Sequence, residues 1–183
     1  MPSKAKVMIQ ELRDDHRNMA IVLDVLAEVI DEAAAGNDPD FELVDEIMRY
    51  MTVYPDAVHH PKEDILYGQL QRERPDLADG LDDVPADHHA IAELGTALRD
   101  DVEAIIAGGA VRREKLVEDM SSYVDRLRRH MNWEEGDLFK RIDSMLDDQD
   151  REVDAAQFEH IKDPIFDLEI ESGFQRLMSS LQR

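Results

Sequence analysis

The 183-residue sequence contains no cysteine. That excludes disulfides, zinc–thiolate sites, iron–sulfur clusters and thiol nucleophiles together. Any metal must then be held by histidine and carboxylate, a donor set that suits iron, manganese or zinc. Glycine and proline are few, and no stretch alternates apolar with polar residues as a strand does, so the fold class is all-α. No apolar run reaches the ~18 residues of a membrane span, and the N-terminus lacks the pattern of a signal peptide. A soluble, cytoplasmic protein is expected. Cations are scarce as well: 21 Lys and Arg stand against 43 Asp and Glu, for a net charge of −22. Such a chain repels nucleic-acid backbones and anionic membrane surfaces, so neither is expected as a partner. The length suits a single domain with one substantial core, and the oligomeric state is not legible.

Four helices are expected. The first, over about 4–35, carries the stripe Met8, Leu12, His16, Met19, Leu23, Leu26, Ile30, spaced 4, 4, 3, 4, 3, 4, and stops at Gly36-Asn37-Asp38-Pro39. The second, over about 40–71, aligns Leu43, Ile47, Met51, His59, Glu63, Leu66 and Leu70. Pro55 and Pro61 fall inside it, which predicts a kink or two shorter helices. The third runs from about Pro85 to Gly108-Gly109 with the stripe Val84, His88, Ile91, Gly95, Leu98, Val102, Ile105. The fourth, over about 111–146, aligns Leu116, Met120, Tyr123, Leu127, His130, Glu134, Leu138 and Met145. Residues 1–148 are thus expected to form an up-down-up-down four-helix bundle. Residues 149–183 are expected to be a helical tail packing on it, including a short helix to about His160.

Polar residues take interior positions in every stripe. A lone histidine in such a stripe is usually a satisfied core residue, and a lone His-x-x-x-Glu is common on solvated helices. Here the elements recur. The chain presents His16, then His59-x-x-x-Glu63, then His88, then His130-x-x-x-Glu134, with 43 residues from His16 to His59 and 42 from His88 to His130. Asp15-His16-Arg17-Asn18-Met19 also echoes Asp87-His88-His89-Ala90-Ile91. Each element lies some 20 to 25 residues, or about 30 Å, from its hairpin turn, so all six side chains meet in one layer of the core. Two buried carboxylates and four imidazoles would cost many kcal/mol if unpaired. A pair of metal ions resolves that cost, and two iron ions with an oxo or hydroxo bridge suit the donors best, with zinc or manganese as alternatives. His60 is either a further ligand or a surface partner of Asp64. His89 is expected in solvent, and Asp64, Glu135 and Asp137 on a solvated face. Trp133, Tyr54 and Tyr123 are expected to pack around the layer.

The order and the phrases Val58-His59-His60-Pro61-Lys62-Glu63-Asp64 and His130-Met131-Asn132-Trp133-Glu134-Glu135-Gly136-Asp137-Leu138-Phe139 resemble the hemerythrin-like proteins, or HHE cation-binding domains. The resemblance covers about residues 5–147. It implies a four-helix bundle with a non-haem di-iron centre whose ligands are His16, His59, Glu63, His88, His130 and Glu134. Some relatives use the position of His60 as an extra ligand. Oxygen-carrying members place a second histidine four residues after His88, where this chain has Ala92, so the bacterial subtype is the expected one. The expected function is binding or sensing of a small ligand: oxygen, nitric oxide or peroxide. A peroxidase- or catalase-like di-iron enzyme and a structural, iron-storage or iron-sensing module are the alternatives.

Overall fold

The computed structural model of the chain describes residues 4–147, 161–166 and 173–182, and no strand occurs among them. Four helical rods make up the bundle. The first is α1, Lys4–Ala34. The second joins α2, Phe41–Tyr54, through a π-helical turn at Pro55–His59 to α3, His60–Glu73. The third is α4, Val84–Ile106. The fourth joins α5, Arg113–Trp133, through a π-helical turn at Glu134–Leu138 to α6, Phe139–Asp147. Among the rods, α1 packs on α5, α2 on α4, and α4 on α5.

Local chemistry sets the ends. Gly36 and Gly108 take left-handed φ values of 92° and 89° after α1 and α4, a conformation that side-chain-bearing residues resist. Asp40 caps α2 by accepting the Leu43 amide at 3.1 Å. Arg113 donates to the carbonyls of Ala33 and Asn37 and to Asp38. It therefore ties the start of the fourth rod to the turn after the first, and both hairpin turns lie at one end of the bundle.

The second rod is continuous rather than two separate helices, with its register shifted by the π turn that begins at Pro55. Proline has no N–H to give the preceding turn, and a wider turn absorbs the missing bond. The fourth rod has a π turn with no proline in it, which periodicity did not predict.

The core divides in two. One apolar cluster, near the turns, contains Met19, Val58, Ile91 and Leu127; the other contains Leu12, Leu66, Val84 and Leu138. Between each such pair along the chain stands a histidine or glutamate of the expected layer. The layer is thus a polar slab sandwiched by apolar packing, which holds bulk water away on both sides.

Parts of the tail are described. Asp163 is buried, accepts the amides of Ile165 and Phe166, and accepts the Tyr50 hydroxyl at 2.8 Å. Ile165, Phe174 and Leu177 are buried against the larger cluster. The helix α7, Gln175–Leu181, lies on α1 and α2. The expected short helix ending near His160 lies outside the described residues.

Candidate metal centre

His16, His59, Glu63, His88, His130 and Glu134 are all buried, and so is His60. Their donor atoms fall into two overlapping groups that could each hold an ion: His60, Glu63, His88 and His130, and His16, His59 and Glu63. Glu63 belongs to both. Its Oε1 lies 3.1 Å from His59 Nε2 and 3.6 Å from His16 Nε2, while its Oε2 lies 3.4 Å from His88 Nε2. Glu134 also spans the groups, with Oε2 3.4 Å from His16 Nε2 and 3.3 Å from His130 Nε2. The Nε2 atoms of His88 and His130 face each other at 3.1 Å. A regular helix points neighbouring residues about 100° apart. The first π turn ends between His59 and His60 and brings both side chains inside.

The donors fit a metal pair on their own chemistry. Both oxygens of Glu63, Oε2 of Glu134 and Nε2 of His16 are buried without a hydrogen-bond partner among the described residues. Buried carboxylate oxygens left in that state cost several kcal/mol unless a cation sits against them. Imidazolium protons or metal ions are the two candidates, and they compete for the same lone pairs. Burial is the largest influence on His16 and pushes its pKa down, yet the nearby carboxylates of Glu134, Glu135 and Glu63 outweigh it and hold the pKa well above the ordinary value. His59 and His88 are raised in the same way, against burial, by Glu63 and its neighbours. Glu63 is held well below the usual carboxylate range: burial opposes this, but the charge of His59 and the close approach of the His16, His59 and His88 rings prevail. His60 is lowered, chiefly by burial.

The opposite edges of the rings are held by carboxylates. His59 Nδ1 meets Asp15 at 3.2 Å, His130 Nδ1 meets Asp87 at 2.8 Å, His16 Nδ1 meets Glu135 at 3.1 Å, and His60 Nδ1 meets Asp56 at 3.2 Å. Such partners fix the tautomer, so that Nε2 carries the free lone pair, and raise its basicity. Asp15 is fixed in turn by the Tyr54 hydroxyl at 3.0 Å, and Asp87 by Arg126. His88 is the exception, because Asp64 stands 4.0 Å from its Nδ1, beyond hydrogen-bond reach. Asp87→Ala is therefore expected to weaken metal binding about 10- to 100-fold, and Asp64→Ala to leave it nearly unchanged, in equilibrium titrations of the two variants.

Asp15, Asp56 and Asp87 were not singled out as partners from sequence, and Glu135, expected on a solvated face, meets His16 instead, although one signal was present. The echoed segments each begin with an acid, Asp15 and Asp87. Each reaches across to the histidine of the other rod in its hairpin rather than to the histidine beside it. Glu135 and Asp64, the residues after the two glutamates, complete the same pseudo-twofold relation, Glu135 in contact and Asp64 too far. His60 pairs with Asp56 rather than with Asp64. Tyr67 was also missed: it donates to Glu134 Oε1 at 2.7 Å from a buried position. Asp137 and His89 lie at the surface, paired with Arg141 and Glu93. Tyr123 packs in the core beside Gly95, where a Cβ would come within 3.1 Å of its ring. Trp133 is only half-buried and lines a cavity beside the layer.

The family model of the hemerythrin HHE cation binding domain matches residues 7–142, and again residues 79–163. No curated protein and no solved structure matches the chain. No helix among the described residues is long and apolar enough to cross a membrane.

Proposed function

Because this chain belongs to the hemerythrin HHE cation-binding family, we propose that its buried cluster holds two iron ions and that the pair binds or senses oxygen, nitric oxide or peroxide. The observation that carries the proposal is the polar slab itself: five imidazoles and two carboxylates buried together, with carboxylate oxygens that no hydrogen bond satisfies. Histidine and carboxylate without thiolate favour iron. When bound, the ions supply redox electrons and coordination positions that the protein leaves open.

The rest is the work of the chain. His60, His88 and His130 with Glu63 would hold one ion, and His16 and His59 with Glu63 and Glu134 the other, so the two positions differ in their imidazole count. His60 has no counterpart in the second hairpin, where Met131 follows His130. Phe139 stacks on the His16 ring at 5.2 Å and closes that side to bulk water. Tyr67, bonded to Glu134, holds a proton at its hydroxyl at the edge of the site. Ala92, four residues after His88, sets the chain apart from the oxygen carriers and favours the bacterial subtype.

Anaerobic loading with Fe(II), followed by oxygen or nitric oxide, is expected to produce new visible absorption bands. Loaded protein whose spectrum is unchanged by either gas would sink the proposal.

A further inference from the structure

A cavity of about 610 Å³ opens beside the metal layer. It is lined by Trp133, Gly80, Arg126, Arg129, Asp87 and His130. It shares His130 with the metal layer and includes Asp87, which meets His130 Nδ1, but none of the other candidate metal ligands lines it. Its volume falls in the range of small-molecule pockets, about 300–1,000 Å³.

The lining has unspent donors. Among the described residues Arg129 has no hydrogen-bond or ion-pair partner, in a chain with 43 acidic residues to 21 basic ones. Arg126 donates through Nη2 to Asp87, while its Nε is buried without an acceptor. Asp87, engaged by both Arg126 and His130, presents little free charge to the cavity. Beside these guanidinium groups stands the indole of Trp133. Gly80 has a left-handed φ of 82°, and a Cβ built there would approach the indole to 3.3 Å. The linker backbone therefore props the ring in the cavity wall.

We propose that this cavity binds a small carboxylate with a flat apolar body, of the aromatic-acid class. A guanidinium meets a carboxylate in a planar, two-pronged pair. A flat π-system stacks on an indole or on the guanidinium plane. A bare inorganic anion would use the arginines and leave the indole unused, and a cation would be repelled. Asp83, exposed at the rim, opposes an anion and limits its affinity.

The test uses the full chain, purified without chelator, and benzoate as the probe. Trp133 is the sole tryptophan, so fluorescence reports on this cavity directly; calorimetry supplies the stoichiometry. Saturable binding at one site per chain is expected, weakened about tenfold by Arg129→Gln, tightened by Asp83→Asn and unchanged by Arg112→Gln. A benzoate response that ignores Arg129→Gln places the carboxylate elsewhere, on the metal ions for example, and overturns the proposal. So does inorganic phosphate that binds as tightly as benzoate, and so does the absence of saturable binding.

Discussion

Replacing Glu63 with glutamine or alanine is expected to abolish the metal pair. Among the described residues Glu63 is the one member common to both candidate groups, and it turns a different oxygen to each: Oε1 faces His16 and His59, and Oε2 faces His88. It is fully buried, so no water replaces the lost charge. Changing an outer partner such as Asp87 costs about 10- to 100-fold in affinity; removing a ligand shared by both positions should cost at least about 100-fold at each. Stability follows. A metal present at about a thousand times its Kd stabilises the folded chain by about 4 kcal/mol. The wild type is expected to lose that increment when stripped of metal, and Glu63→Gln, which keeps the side-chain volume, is expected to show an increment smaller by at least about 2.7 kcal/mol. Denaturant unfolding of both proteins, with and without metal, is the measurement. A Glu63→Gln chain that still takes up both ions would show that Glu63 is not shared.

The chain is also expected to lose stability steeply in alkali, at a pH where an ordinary helical bundle changes little. Tyr50, Tyr67 and Tyr123 are all buried. Burial is the main cause that pushes each hydroxyl above its usual value; Asp163 adds to it at Tyr50, Glu63 and Glu134 at Tyr67, and Asp56 at Tyr123. In the unfolded chain all three would titrate near the usual value of about 10. Their raised values mean that the folded chain keeps protons the unfolded chain has given up. The effect on stability is therefore absent below about pH 9 and grows as pH rises through 10, by up to about 1.4 kcal/mol per pH unit for each tyrosine, or about 4 for the three. Urea midpoints measured at about pH 9 and pH 11 check the slope. Tyr50→Phe should flatten it by about a third. A slope of similar size in a variant with all three changed to phenylalanine would assign it to other groups.

Much of the site was legible because helices impose rules on sequence. His16, His59, His88 and His130 replace apolar residues at core positions of a 3.6-residue period, and equal distances from two turns at one end put them on one level. The same pattern located the two glutamates. What was not legible depends on geometry across rods. Asp15 looks like a neighbour of His16, yet it serves His59, because side chains on facing helices meet where the chain positions are more than forty residues apart. Glu135 looked like part of a solvated acidic run, yet the second π turn brings it to His16. That turn has no sequence mark, since Glu134–Leu138 contains no proline to force it. The first turn had a mark in Pro55, which signalled an irregularity but not its form. His60 shows both sides of this. Its sequence left it between a further ligand and a surface partner of Asp64, and the wider turn is what lets two successive histidines point inward.

Elemental analysis of the chain purified without chelator shows whether the buried cluster holds an iron pair. About two iron ions per chain are expected, matching the two overlapping donor groups of a di-iron bundle, and Glu63→Gln should bring the content close to zero. A correctly folded chain that carries no metal, takes up no Fe(II) when it is offered anaerobically, and melts at the same temperature with and without metal would contradict it.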